Sequence, residues 1–241
     1  MSMSRVQAHY DDVADVYDQR YDVRQGRLYH HHLSRIALEQ LPEGGLLLDL
    51  GCGTGLFIDH YQKNGGSAVG LDISPGMVAM GRKRCPDSEF MVGTAEILPF
   101  ADETFDSVAS LLAFSYLTHP EATIRECQRI LKPGGRIAVC TLSWNMLTRI
   151  VPVVYRIGER IGYQKVGFLD HRYSYYTEAE LKALFLRAGF IDVESTRCSF
   201  AHYILPSWFF SLAQRCEPFV ERHFPALAFN VCVSGRKKED G

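Results

Sequence analysis

The chain holds no apolar run approaching the ~18 residues of a membrane-spanning helix, so no span is expected in its 241 residues. Residues 1–12 carry no apolar signal core either. Charge of neither sign dominates: 26 Lys and Arg stand against 28 Asp and Glu, for a net charge of −2. That leaves no overall basic footprint, and nucleic acid is not an expected partner. The basic runs Arg82-Lys83-Arg84 and Arg236-Lys237-Lys238 read as a solvated helix end and a charged tail. Seven cysteines are scattered singly, with no Cys-x-x-Cys pair. Their odd number argues against a complete disulfide framework, and reduced thiols fit a cytoplasmic protein. Repeats and low-complexity tracts are absent. What is present is ordinary globular composition, 46% hydrophobic and 22% charged, in a length that suits one domain with sizeable insertions.

A missing glycine is the most informative absence. The apolar run Leu46–Leu50 stops at Gly51-Cys52-Gly53-Thr54-Gly55, but position 56 is Leu56 where a dinucleotide-binding G-x-G-x-x-G loop needs glycine. The loop is G-x-G-x-G, with Asp49 two residues before its first glycine. Glycines so spaced allow a tight turn and let a ligand touch bare main chain. The helix that follows points free N–H groups at the ligand. A carboxylate at Asp49 would repel a pyrophosphate and suits a cationic ligand, one with an ammonium or sulfonium group. Asp72 ends the next apolar run, 21 residues after Gly51, at the offset of an acid that binds a ribose diol.

Strand patterns fall at 46–50, 67–71, 89–92, 105–112, 135–141, 190–197 and 228–234, and helical patterns at 28–41, 54–63, 75–84, 120–131 and 177–188. The alternation predicts right-handed βαβ units and a largely parallel sheet with helices on both faces. Thr177 and Glu180 form a capping box, and Gly189 closes that helix. Segments 142–176 and 199–226 interrupt the alternation. Each leaves a strand at its carboxyl end, where open α/β sheets bind ligands. Both are rich in aromatic rings and read as a substrate lid, most rings forming the lid's own core and a few lining a pocket.

Five motifs in order resemble the class I S-adenosylmethionine-dependent methyltransferases, in the small-molecule, type 11 branch that includes quinone-biosynthesis enzymes. They are the glycine loop, Ser74-Pro75-Gly76-Met77, Gly93-Thr94-Ala95-Glu96-Ile97-Leu98-Pro99-Phe100, Phe105–Leu111 and Ile130–Arg136. Segment 5–25, with Tyr10, Tyr17 and Asp18, resembles the N-terminal helix that closes over the cofactor in that branch. The resemblance implies a single α/β, Rossmann-like domain. Its seven-stranded sheet would be mostly parallel with an antiparallel last strand. A helical cap would occupy 1–41, the cofactor-binding core 45–141, and lid insertions 142–176 and 199–226. It implies S-adenosylmethionine as cofactor and S-adenosylhomocysteine as product. Asp49, Gly51, Cys52, Gly53 and Gly55 would then hold the methionine part. Asp72, Ile73 and Met77 would hold ribose and adenine, and Ala95 and Glu96 the adenine edge. Leu111 would offer its backbone near the methionine end, and Tyr17 would lie in the closing segment. Cys52 reads as a small packing residue, since the turn cannot take bulk.

The implied reaction is in-line displacement of the methyl onto a small, apolar or aromatic acceptor. An aromatic lid would exclude water. A general base is needed only for a weakly acidic acceptor or a protonated amine, with His119, His171 and Tyr173 as candidates. His30, His31 and His32 are consecutive on a predicted helix and fan out around it, so no metal site is expected there. A nucleic-acid methyltransferase would carry Asn/Asp-Pro-Pro-aromatic after the fourth strand, and Ser110–Tyr116 lacks it. A protein substrate and a noncatalytic, partner-docking subunit are the alternative readings. For the stretch 203–212, a peripheral partner or membrane contact is the alternative to a lid.

Overall fold

Leu46–Leu50 (β1) reads Leu-Leu-Leu-Asp-Leu and is buried along nearly its whole length, as a central parallel strand must be. The computed structural model describes residues 3–145, 148, 175–203 and 205–239. Within them β1 pairs in parallel with Ser67–Asp72 (β2) on one side and Phe105–Leu111 (β4) on the other. Glu89–Val92 (β3) adds beyond β2, and Leu131–Leu142 (β5) beyond β4, both parallel. Ile191–Cys198 (β6) forms the far edge, and Asn230–Arg236 (β7) runs antiparallel between β5 and β6. The spatial order is β3-β2-β1-β4-β5-β7-β6. This is the expected seven-stranded, Rossmann-like sheet with an antiparallel last strand.

Helices cover both faces. Met3–Val13 (α1), Gln19–Asp22 (α2) and Arg24–Leu38 (α3) precede the sheet. Leu56–Lys63 (α4), Pro75–Arg84 (α5) and Pro120–Ile130 (α6) connect its strands, and Glu178–Arg187 (α7) and Ser207–His223 (α8) follow. The strands alternate their side chains between two cores, as a period of two requires. Leu48, Val108, Ile137 and Val233 meet Ile124 of α6 and Phe185 of α7. Leu47, Ala109, Ala138 and Cys232 meet Leu33 and Ala37 of α3 and Ile58 of α4. Small residues on that second face let α3 lie close to the sheet. Tyr29 of α3 then donates its hydroxyl to Asn230 of β7 at 2.9 Å.

Local chemistry sets the helix ends. Ser74 accepts the Met77 N–H and Pro75 takes the first position of α5. The Thr177–Glu180 capping box of α7 is formed in both directions. Two boundaries differ from the sequence pattern. β5 starts at Leu131, four residues early, because Leu131 pairs with Phe105 before the register slips to Arg136 opposite Ser107. The turn Lys132–Gly135 is therefore a bulge inside the strand. The segment 199–226, expected as an irregular lid, contains the 17-residue helix α8. Among the described residues no helix is long and apolar enough to cross a membrane.

Candidate functional site

β1, β2 and β4 end at one edge of the sheet, and the loops that leave them wall a cleft. It encloses about 910 Å³ of space, including open solvent at its mouth, within the ~300–1,000 Å³ of small-molecule sites. The glycine loop is fastened to β2, because the N–H groups of Gly51 and Cys52 both donate to the Leu71 carbonyl, at 2.7 and 3.2 Å. Gly51 has φ +72°, and a Cβ there would fall 2.2 Å from that of Ala113. Gly53 also has positive φ, +51°, but a Cβ there would meet nothing within 4 Å. It borders the open cleft. Gly55 differs from both: it lines neither of the cavities described in this section, and a Cβ there would press Phe90 at 3.1 Å. Its assignment to the ligand is corrected accordingly, because its glycine lets α4 pack closely against the neighbouring elements.

Asp72 closes β2 and faces the cleft, only 9% exposed. One carboxylate oxygen accepts the Gly53 N–H and the other the Ser74 N–H, each at 2.9 Å. Burial raises its pKa and these two bonds pull it back. Each oxygen retains a lone pair for a ligand hydroxyl. Ile73, Met77 and Ala95 give the cleft its apolar wall. Glu96 lies there too, but its Oε1 accepts the N–H groups of Thr118 and His119, at 3.2 and 3.0 Å. Part of its carboxylate therefore orders the loop before α6. Leu111 lines the cleft beside Leu112, a non-glycine residue at φ +63°, the sort of strained backbone that collects at functional sites.

A second chamber of about 460 Å³ adjoins the first, and Tyr17, Gly51, Gly53, Leu111 and Leu112 border both. Asp49, Cys52, Tyr21 and His30 complete its walls. Asp49 is 2% exposed. Burial first, and then the charge of Asp72, push its carboxyl up to about 8. Among the described residues no hydrogen bond reaches that carboxylate. Burial pushes the Cys52 thiol well up as well, which keeps it protonated and unreactive. His30 packs on the Tyr21 ring with centroids 5.2 Å apart. Burial first, then its histidine and arginine neighbours, push its pKa down to about 3, so it is neutral.

The N-terminal residues are built into these walls. Asp11 accepts the Ser74 hydroxyl at 2.5 Å and the Gly76 N–H at 3.0 Å. Asp18 accepts the Thr54 hydroxyl at 2.6 Å and pairs with Arg84, whose Nε donates to the Thr54 carbonyl. Tyr10 and Tyr17 line the cleft, and the Tyr10 ring meets Tyr17 at 6.0 Å and Tyr116 at 5.5 Å. Periodicity gave no sign that Tyr21, His30, Leu112 and Tyr116 belong to the site. The repeated tyrosines at 10, 17 and 21 were the visible hint.

His119 is not in the cleft. It is exposed, heads α6 and lines an outer depression between α6 and α7. The general-base assignment is corrected for that reason. His171 and Tyr173 lie outside the described residues. The three consecutive histidines take three separate partners: His30 the Tyr21 ring, His31 the His60 ring and His32 Glu221 at 3.0 Å. His32, Glu217 and Glu221 bring ligand atoms within 4.8 Å of one another. Bonds from the Ala201 and Ser199 N–H groups already occupy the two glutamates. Of the rings in 199–226, Phe210 is buried and packs with Phe200, while Tyr203 stacks on His202 at 4.6 Å. Trp208, Phe209, Phe219 and Phe224 are exposed. They form neither a lid core nor a pocket wall, and Leu212 joins them on the open face of α8.

The residues fit an S-adenosylmethionine-type ligand on two structural grounds. Gly53 leaves room at its Cβ position for a close approach, and Asp49 is a buried carboxylate with no partner. Comparison with known proteins points the same way. Residues 48–139 match the sequence model of the family described as methyltransferase domain. A demethylmenaquinone methyltransferase of Renibacterium salmoninarum is 38% identical over 141 residues, 57% of this chain and 59% of that one. The chain thus spans about three fifths of that relative's length. A demethylmenaquinone methyltransferase of Tropheryma whipplei is 29% identical over 213 residues, 82% of this chain and 88% of that one. A Haloferax volcanii methyltransferase, solved in complex with the activator Trm112, superposes with a TM-score of 0.69 at 25% identity, over 98% of this chain and 99% of that one.

Proposed function

We propose that this chain, whose residues 48–139 are a class I S-adenosylmethionine-dependent methyltransferase domain, moves the methyl group onto a small aromatic acceptor of the quinol or phenol type. One observation carries the reading. A glycine loop, a ribose-facing acid and an unpartnered buried carboxylate converge at the carboxyl edge of the sheet, beside a tyrosine-lined chamber. The demethylmenaquinone methyltransferase relatives support the acceptor class.

Bound S-adenosylmethionine supplies an activated methyl on sulfonium, so the protein's task is alignment and exclusion of water. Asp72 would accept the ribose hydroxyls. Met77, Ile73 and Ala95 would flank the adenine, and one oxygen of Glu96 its edge. Asp49 would neutralise the cationic methionine end, while Gly51, Cys52 and Gly53 hold the loop open to it. Tyr17 and Leu111 border both chambers and would separate cofactor from acceptor. A quinol oxygen or ring carbon is nucleophilic once the acceptor has lost a proton. A neutral His30 in the second chamber is better placed to receive that proton than His119.

Titration calorimetry with S-adenosylmethionine, S-adenosylhomocysteine and NAD tests the cofactor assignment. Micromolar affinity for the two sulfur ligands and none for NAD is expected. NAD binding alone would overturn it. Asp72→Ala should weaken S-adenosylhomocysteine by at least ~10-fold, since hydrogen bonds to charged groups contribute ~1.5–3 kcal/mol each. Transfer of labelled methyl to 1,4-naphthohydroquinone tests the acceptor class, and no transfer to any quinol or phenol would sink that part.

A further inference from the structure

Arg20 on α2 is a cation without an anion. Its guanidinium carbon lies 4.0 Å over the centre of the Tyr17 ring and 5.9 Å from that of Tyr21. Its Nε donates to the Tyr17 carbonyl at 3.2 Å. No other hydrogen bond and no carboxylate reaches it among the described residues. The nearby acid Asp18 is already committed to Thr54 and Arg84. Burial works against the charge, and the hydroxyls of Tyr17, Tyr21, Tyr203 and Tyr10 more than offset that, so the side chain stays cationic. A guanidinium has five N–H donors, and most of these stand unused. Holding a partly buried cation without a counter-charge is costly, and such groups are retained where an anion arrives.

The position says which anion. Tyr17 and Tyr21, the two rings beside the guanidinium, both line the chamber that contains Asp49. That chamber therefore carries an unpartnered carboxylate on the β1 side and an unpartnered guanidinium behind its tyrosine wall. An α-amino acid end offers the complement of both, an ammonium and a carboxylate on one carbon. We propose that Arg20 binds the α-carboxylate of the cofactor's methionine moiety, opposite Asp49 at the ammonium. The inference rests on the cofactor assignment above. It also makes the N-terminal cap part of ligand recognition, because α2 would be drawn onto the cleft through the ligand itself. Arg is suited to this by its planar fork, which meets a carboxylate through two parallel bonds.

The test compares three ligands by titration calorimetry. They are S-adenosylhomocysteine, its decarboxylated analogue and 5′-methylthioadenosine, which lacks the amino acid end. Wild type should favour S-adenosylhomocysteine over the decarboxylated analogue by ~10–100-fold, the range of a charge-assisted bond. Arg20→Gln should reduce that preference to about twofold and leave 5′-methylthioadenosine unchanged, and Arg20→Lys should keep an intermediate preference. Hydrogen exchange should show residues 10–22 protected by S-adenosylhomocysteine and not by the decarboxylated analogue. A preference that survives in Arg20→Gln would overturn the proposal. So would an equal loss for all three ligands, which means that Arg20 only holds the cap together. Wild type lacking any preference would overturn it without recourse to a variant. Binding of none of the three would instead bring down the cofactor assignment, and this proposal with it.

Discussion

The two chambers are built on different principles. The cleft at the ends of β1, β2 and β4 is made largely of main chain: glycines at positive φ, N–H groups fastened to Leu71, and an acid that ties Gly53 to Ser74. The chamber beyond it depends on side chains from distant elements, with Tyr17, Tyr21 and His30 of the N-terminal helices facing Asp49 of β1. Parts made of backbone are fixed by a few residues close in sequence and tolerate no substitution at those points. Parts made of side chains depend on how α2 and α3 dock, and their chemistry can change without disturbing the sheet. One fold can thus keep its cofactor geometry while its acceptor chamber varies.

The largest effects should come from setting two glycines against each other. Gly51→Ala places a Cβ on Ala113 at positive φ, so it should lower stability by roughly 2–5 kcal/mol and abolish ligand affinity. Gly53→Ala meets open space, so its cost to the fold should stay near ~1–2 kcal/mol. Its loss of S-adenosylhomocysteine affinity should nonetheless reach ~10–100-fold, from ~1–3 kcal/mol of overpacking against the ligand. Thermal unfolding and calorimetry on the pair separate the two. Equal behaviour of the two variants would mean that Gly53 does not face the ligand.

Next in size is pH. The Asp49 carboxyl is pushed up to about 8 in the ligand-free protein, and a cationic ligand favours its ionised form. Affinity for S-adenosylmethionine should therefore rise by up to ~10-fold per pH unit below that value and level off above it. The sign for stability is opposite. A carboxyl with a raised folded pKa binds more protons folded than unfolded, so its contribution is complete below ~4 and is lost as pH rises through about 8. The melting temperature of the ligand-free protein should fall across that window. Asp49→Asn should flatten both profiles; an unchanged affinity profile in that variant would place the titrating group elsewhere.

A smaller effect is expected where cap and cleft meet. Asp11→Ala removes the acceptor for Ser74 and Gly76 and should weaken S-adenosylhomocysteine by ~3–10-fold, about the worth of one or two net hydrogen bonds. Faster hydrogen exchange over α1, with β1 and β4 unchanged, would accompany it. The smallest effect sharpens the contrast from the far side of the molecule. Thr177→Ala deletes the capping box of α7 and should cost ~1 kcal/mol of stability. Calorimetry should show ligand affinity untouched.

The sequence made the main-chain half legible for a physical reason. Gly51, Gly53, Asp72 and the Ser74-Pro75 cap act within a few residues of where they stand, so spacing alone exposes them. The sheet order was readable for the same reason, since βαβ alternation is a local pattern with one handedness. The start of β5 was not, because it depends on Leu131 finding Phe105 across the sheet. Gly55 was misplaced because one spacing rule covers glycines that face a ligand and glycines that face Phe90. His119 looked catalytic from its position after the fourth strand, yet the start of α6 turns it outward. The chamber residues Tyr21, His30 and Leu112 were hidden because each acts on a partner far away in sequence. α8 was missed because its apolar residues lie on both its buried and its open faces.

The strand order has a consequence for how the chain is made. β7 is synthesised last of the seven strands, yet it lies inside the sheet, between β5 and β6. Residues 143–229 must follow β5 from the ribosome before its partner strand can begin, a wait of roughly 4–20 s at ~5–20 residues per second. Throughout that interval β5 presents a bare edge of Ile137-Ala138-Val139-Cys140. β6, once made, pairs only with β7, so it also waits. Unpaired apolar edges invite pairing with other nascent chains. Yield during overproduction should therefore depend on elongation speed and chaperone supply more than on the stability of the finished fold. Slowing translation after residue 142 should send more of the product into aggregates.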